Sequence, residues 1–408
     1  MPEICYLEEG VLSPIGFRAT GVSCGLKVGG FKDISLLISE TACNAAMAFT
    51  SSRIQGAHIA VDKERFGNKI RAILVNSGNA NCLTGQEGVN NAYEMLKIAE
   101  EVLGIASGQC LLASTGAIGL PLNMTRIRYG IERLGAIIGS ENNIRNFCSG
   151  IMTTDTRQKN IACEFDLDGV KVRIGATAKG ANMIKPDLKT MHATLLCFIT
   201  TDISISKELL SHALSESLPG SLNRICIDND LSPNDSVFLL ANGMAENKPI
   251  ISDQDPRYDK FLSVLKTILV ELGKVLIKNG LGVTKMIHLQ VQGAADSNQA
   301  EKLVRAIAES YQFKAAVFGQ HSGWQKILTI ISYSGVDFDL NSVEIKLNDL
   351  VLFNQGKDNS AAISSAHAEM VPMECTIIVN LNQGTADSFL WTSDLSFDYL
   401  KINSHFPE

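Results

Sequence analysis

Short apolar runs that break into stretches of glycine, asparagine, serine and threonine recur along this chain, with helical periodicity between them. Residues 70–75 (IRAILV) read as a buried strand that enters a turn rich in glycine and asparagine. Residues 89–103 have helical spacing, and residues 110–112 lead into a second small-residue loop at 114–119. Strands are predicted at 170–174, 194–201 (TLLCFITT), 286–292, 315–318, 344–353 and 375–381, and an apolar run at 236–240 ends at Asn242-Gly243. The clearest amphipathic helix covers 258–278, where Phe261, Leu265, Ile268, Leu272, Val275 and Leu276 recur at helical spacing. Asn279-Gly280 is its stop signal. A second helix is predicted at 299–309. Interleaved strands and helices argue for an α/β class.

With 408 residues the chain exceeds one ordinary core, so at least two domains are expected. Hydrophobic residues at 45% against 19% charged residues exclude a disordered protein. A net charge of −7 excludes a basic nucleic-acid footprint but leaves room for a local basic pocket. No apolar run reaches the roughly 18 residues of a membrane span, and the acidic start lacks the apolar centre of a signal peptide. The ten cysteines, Cys5, Cys24, Cys43, Cys82, Cys110, Cys148, Cys163, Cys197, Cys226 and Cys375, contain no CxxC pair. They are expected to be reduced and buried, with no metal site.

Five polar motifs stand out: Asn76-Ser77-Gly78-Asn79-Ala80-Asn81, Ser114-Thr115-Gly116-Ala117-Ile118-Gly119, Met152-Thr153-Thr154-Asp155-Thr156, Ala178-Lys179-Gly180-Ala181-Asn182-Met183-Ile184, and Asn234-Asp235. Singly, each reads as an ordinary turn. Together and in this order they resemble the ornithine acetyltransferase (glutamate N-acetyltransferase) family. Pro14-Ile15-Gly16-Phe17-Arg18-Ala19-Thr20-Gly21, Phe49-Thr50 and the C-terminal Tyr399-Leu400-Lys401-Ile402-Asn403 extend the resemblance over essentially the whole chain.

The resemblance implies a layered αββα-type fold with an additional C-terminal α/β subdomain. It also implies a precursor that cleaves itself between an alanine and a threonine. The freed threonine is the nucleophile, and its own α-amine, with a reference pKa near about 8, is the base. Here the implied cut lies between Ala193 and Thr194, giving chains 1–193 and 194–408. Thr194 heads the apolar strand, whereas Thr190, the alternative by residue count from Lys179, follows Lys189. Thr115 and Gly116 match the family's oxyanion-hole pair. Thr153, Lys179, Thr194 and Asn403 match substrate-contacting positions, Glu408 stands at a further one where the family has a C-terminal threonine, and a lysine suits a carboxylate. Further implications are a cytoplasmic enzyme of arginine biosynthesis, small amino-acid substrates, two α and two β chains, and neither metal nor organic cofactor.

Several segments depart from the family pattern. The family's Asp-Gly-Glu-Gly-Ala-Thr-Lys reads Asn279-Gly280-Leu281-Gly282-Val283-Thr284-Lys285, so Leu281 replaces a substrate-contacting glutamate. His321-Ser322-Gly323-Trp324-Gln325-Lys326 and residues 227–235 also differ. Leucine makes no charged hydrogen bond, worth about 1.5–3 kcal/mol, and an altered substrate is expected. Three functions stay open at this point: an autoprocessed acyltransferase, an amidohydrolase with water as acceptor, and an uncleaved non-catalytic paralogue.

Overall fold

The computed structural model describes residues 3–181, 183, 185, 195–230 and 232–404. They divide into two compact units, Met1–Asn223 with Asp230–Leu276, and Arg224–Asn229 with Ile277–Glu408.

Nine strands form one hydrogen-bonded sheet in the first unit: β1 (Cys5–Leu7), β2 (Phe17–Val22), β3 (Ile34–Phe49), β4 (Ile70–Asn79), β5 (Cys110–Ala117), β6 (Lys159–Leu167), β7 (Val170–Lys179), β8 (Leu196–Thr201) and β10 (Ser236–Ala241). Their order is β1-β6-β7-β8-β10-β3-β4-β5, with β2 also on β3. β3 changes partners along its length. Ile34 to Ser39 pair with β2, and Asn44 to Phe49 pair with β10. The register against β4 breaks between Ile38 and Cys43, where Glu40, Thr41 and Ala42 are exposed.

That break lets the sheet fold over itself. Ile73, Val75, Leu111 and Ala113 of β4 and β5 share one apolar cluster with Leu196, Phe198, Phe238 and Leu240 of β8 and β10. Phe198 stacks on Phe238 at 5.7 Å between ring centres, and Phe147 meets Phe198 edge-on at 5.5 Å. Truncating such a ring to alanine costs about 3–5 kcal/mol.

The alternate residues Ala72, Leu74, Cys110 and Leu112 face the other way. They meet Met95, Leu96 and Ala99 of a helix that follows α1 (Ala57–Glu64), namely α2 (Gly85–Leu103), and Ile127, Ile131 and Leu134 of α3 (Met124–Ile137). α4 (Ile144–Ile151) packs on β2 and β3, and α5 (Lys207–Ser217) packs on β3 and β10. The class is α/β, with helices against a doubled sheet, as expected. α6 (Pro256–Lys278) matches the predicted amphipathic helix.

The second unit holds a seven-stranded sheet of β9 (Ile225–Cys226), β11 (Met286–Ala294), β12 (Glu344–Leu347), β13 (Leu350–Asn354), β14 (Lys357–Asp358), β15 (Glu374–Asn380) and β16 (Ala386–Ser393). Ile287, Leu289 and Val291 of β11 alternate into its core. Leu303 and Ile307 of α7 (Ser297–Ala308), Phe313 and Val317 of α8 (Tyr311–Phe318), and Ile327 and Ile331 of α9 (Trp324–Tyr333) cover them. Lys314 of α8 is buried and donates to Ile227 O, Thr392 Oγ1 and Ser393 O at 2.7–2.9 Å. α10 (Ser360–Glu369) and α11 (Phe397–Asn403) complete the described chain.

Three local expectations fail. Residues 315–318 are helix, not strand. Ser310 caps that helix by accepting from Phe313 N, and Phe313 and Val317 are spaced for a helical face. Residues 344–353 are a hairpin rather than one strand, turning at Asn348 with φ +50°. The small-residue stretches 76–79 and 114–117 are also strand, not loop.

Candidate active site

In the first unit the pairing register gathers several of the sequence motifs. Leu196 of β8 lies between Lys179 of β7 and Ser236 of β10, and Ser236 in turn pairs with Phe49 of β3. The start of the Ala178–Ile184 motif, at Ala178 and Lys179, thus shares one end of neighbouring strands with Asn234-Asp235 and Phe49-Thr50. Across the fold, β4 and β5 end side by side at Gly78 and Gly116. Gly116 has φ +132°, and a Cβ there would come within 2.5 Å of Asn79 N, so no other residue fits.

Asparagines brace this second edge. Asn76 Nδ2 donates to Asn79 O at 2.8 Å, and Asn76 Oδ1 accepts from Ser114 Oγ at 2.7 Å. Asn234 Nδ2 donates to Ala80 O at 2.5 Å and Ser114 O at 2.7 Å, which ties the start of β10 to the residue before Thr115.

Lys179 stands at the centre. It is 2% exposed and donates to Thr115 Oγ1 at 3.1 Å and Thr153 Oγ1 at 2.9 Å. An ammonium can only donate, so both hydroxyls accept from it and keep their own protons to donate elsewhere. Among the described residues Lys179 makes no third bond, which leaves one N–H uncommitted. Burial lowers its pKa, the Asp155 charge opposes that shift, Lys159 adds to it, and Asp235 opposes it.

Asp155 is held by Lys159 Nζ at 2.5 Å, Gly180 N at 2.8 Å and Thr153 N at 3.2 Å. Burial alone would raise its pKa, but the charges of Lys179 and Lys159 and these bonds bring it down to about 2. It is therefore the site's fixed anion. Lys27 Nζ donates to Lys32 O at 2.7 Å and Met152 O at 2.5 Å, pinning the segment before Thr153. Burial outweighs Asp33 and brings its pKa down to about 8.

Among the described residues this is a buried cation with one N–H uncommitted, beside hydroxyls whose protons point away from it, and that suits a carboxylate or a carbonyl oxygen gaining charge. The ArgJ family profile matches residues 18–407. The arginine biosynthesis bifunctional protein ArgJ of Symbiobacterium thermophilum is 37% identical over 98% of this chain and 99% of its own length. The chain belongs to the ArgJ family. The glutamate N-acetyltransferase of Methanocaldococcus jannaschii is 36% identical over 98% of this chain and 99% of its own. A crystal structure of the Bacillus halodurans argJ protein matches 46% of this chain and 98% of that one, at 33% identity and TM-score 0.43. This ArgJ-family chain is accordingly an acyltransferase.

Of the residues singled out from the ArgJ-like motifs, Lys179 is hydrogen-bonded to both Thr115 and Thr153, and Gly116 follows Thr115 on the same strand. Ala193, Thr194 and Glu408 lie outside the described residues, as does the alternative Thr190. In the second unit Leu281 is 4% exposed, on a turn held by the β16–α11 connection. Ser396 Oγ donates to Gly282 O at 2.6 Å, and the Asp394 carboxylate accepts from Thr284 N at 2.9 Å and Lys285 N at 3.0 Å. That turn therefore sits against the helix that carries Asn403, whose Nδ2 donates to Tyr399 O. Sequence reasoning gave no role to Asp155, Lys159, Lys27, His58 or Asp235. Their signal was a charged or imidazole group in or beside a run that folds inward. Among the described residues no helix is long and apolar enough to cross a membrane, and no cluster of side chains could hold a metal ion.

Proposed function

We propose that the chain cleaves itself between Ala193 and Thr194 into chains 1–193 and 194–408, and that Thr194 then carries an acyl group from an N-acyl amino acid to an amine. In cleavage, the Thr194 hydroxyl adds to the Ala193 carbonyl and the peptide C–N bond breaks. The nitrogen takes up the proton, and water hydrolyses the resulting ester. In turnover the same hydroxyl takes the acyl group from the donor's amide, the α-amine passes the proton to the leaving nitrogen, and an acceptor amine collects the acyl group. The names of the relatives point to acetyl transfer to glutamate in arginine biosynthesis, and the family resemblance adds N-acetylornithine as the donor.

The observation that carries this reading is the Lys179–Thr115–Thr153 cluster. Thr115 and Gly116 supply the donors that meet the oxyanion, and Lys179 with Thr153 meets the substrate carboxylate. By the same reading Leu281, Asn403 and Glu408 contact the substrate. Leu281 offers a cationic side chain no partner, and an unpaired buried ammonium is costly. A donor with a neutral side chain therefore suits this chain better than N-acetylornithine.

A denaturing gel with N-terminal sequencing tests the cleavage. The expected result is two fragments, one beginning at Thr194. A terminus at Thr190 would move the nucleophile, and active protein with only its original N-terminus would overturn the reading. A donor panel, run on wild type and Leu281→Glu, tests the substrate. Wild-type efficiency with N-acetylornithine of about 10⁴ M⁻¹s⁻¹ or above, not improved by Leu281→Glu, would restore the ordinary donor.

A further inference from the structure

A lysine that the reaction above does not use enters the site from the loop between β2 and β3. Asp33, fully buried, shapes that loop: its carboxylate accepts from Cys24 N at 2.7 Å, Gly25 N at 2.9 Å and Lys27 N at 3.0 Å. Ser77 N donates to Asp33 O at 2.8 Å, which ties the loop to β4. The Lys27 stem then lies over the glycine end of that strand, for a Cβ on Gly78 would stand 3.1 Å from Lys27 Cγ. Gly78 is the residue that pairs with Gly116.

At the tip of this stem the ammonium meets the C-terminus of α4. Lys27 Nζ donates to Met152 O at 2.5 Å, to Lys32 O at 2.7 Å and to Ser149 O at 3.4 Å. Met152 is the C-cap of α4. The last carbonyls of a helix lack intrahelical partners and carry its partial negative charge, so a cation suits that end. The Met152 carbonyl and the Thr153 N–H belong to one planar peptide unit. Lys27 holds the first, and Asp155 Oδ2 accepts from the second at 3.2 Å. With both ends of the peptide held, the side chain that leaves it has a fixed origin, and Thr153 Oγ1 accepts from Lys179 at 2.9 Å.

We propose that Lys27 is a positioning residue for substrate binding: it fixes the plane of the Met152–Thr153 peptide, and with it the place where Thr153 and Lys179 receive the donor's carboxylate. This rests on the reading of Thr153 and Lys179 given above. Lys27 itself touches no substrate, because its three N–H groups have three backbone carbonyls as partners. It forms and breaks no covalent bond. Burial brings its pKa down to about 8, Asp33 and Asp155 oppose that shift and Lys179 adds to it, so at neutral pH the ammonium keeps all three donors.

The test compares wild type with Lys27→Met, which keeps the stem and removes the donors. Two probes are used: the N-acetyl amino acid that wild type turns over fastest in the panel above, and the same compound with its carboxylate converted to a carboxamide. The expected result for the carboxylate donor is a KM raised by about tenfold or more with kcat within about threefold, the pattern of lost ground-state binding. For the carboxamide donor kcat/KM should be the same in both proteins, since it has no carboxylate for the site to lose. A merely structural lysine would instead lower activity on both donors alike. Should Lys27→Met not fold, Lys27→Gln, with an amide donor on a shorter stem, makes the same comparison. A wild-type KM in the folded variant, or an equal loss on both donors, would overturn the assignment of Lys27 alone. Wild type that does not distinguish the carboxylate from the carboxamide would overturn the parent reading of Thr153 and Lys179, and this one with it.

Discussion

On the proposed function, Thr115 is where a single hydroxyl carries most chemical weight. Its oxygen accepts from Lys179 Nζ at 3.1 Å, and that direction is forced because the ammonium has no lone pair. The hydroxyl proton is therefore turned away from the lysine. Removing it with Thr115→Ala should lower kcat by about 10²-fold or more, the loss expected for an oxyanion donor. Thr115→Ser keeps the hydroxyl and should recover most of that loss. Steady-state kinetics on the two variants checks the pair, and unchanged kcat in Thr115→Ala would remove the residue from the reacting centre. Lys159 and Asp155 make a different kind of pair. Both side chains are fully buried, so removing the Asp155 carboxylate leaves Lys159 without its ion-pair partner, a loss of about 3–5 kcal/mol in folding.

At the scale of the element, α1 delivers His58 into the packed region beside β10. His58 Nε2 lies 3.4 Å from Ser236 Oγ, and burial drives its pKa down to about 3. The unfolded chain protonates this ring near about 6.5, which the folded protein resists until about 3. Below about pH 6.5 the unfolded state thus binds a proton that the native state refuses. Stability contributed by the neutral ring is present above that pH and falls as pH drops, by about 1.4 kcal/mol per unit. His58→Leu carries no titrating nitrogen. Its thermal midpoint should change less between pH 7 and pH 5 than that of wild type, as scanning calorimetry at stepped pH would show. Parallel pH curves would mean that His58 titrates normally.

For the whole molecule, the proposed cut separates β7 from β8, which are paired along Ile174 to Lys179 within one sheet. β8 also pairs with β10, and β10 pairs with β3, so strands from the two sides of the cut alternate in the same hydrogen-bonded surface. The core of Ile73, Leu111, Phe198 and Phe238 is likewise drawn from both sides. Separating the fragments would expose that core and the strand edges together. The two chains should therefore co-elute in gel filtration without denaturant and part only in urea or guanidinium. Elution of separate fragments under native conditions would show that the sheet does not survive the cut. Light scattering on the same sample reads the proposed pairing of two chains of each kind.

Much of this architecture was legible in the residues, because periodicity reports which face of a segment is buried. The spacing of Phe261, Leu265, Ile268 and Leu272 marked α6 nearly to its ends, and the apolar run 236–240 marked β10. The ordered motifs were enough to identify the family, since each is a contiguous string. A contiguous string does not, however, show what it will face. Residues 315–318 look like a strand by composition and became helix because Ser310 caps them and Phe313 and Val317 pack as one face. The partners of Lys179 come from β5 and from the segment after α4, far apart in the chain, and only the register of the folded sheet sets them at hydrogen-bond distance. Asp155 and Asp235 are both buried aspartates, yet one is held ionised by two lysines and the other is pushed toward its neutral form. Those opposite states follow from desolvation and from nearby charge, which exist only once the chain has closed around them.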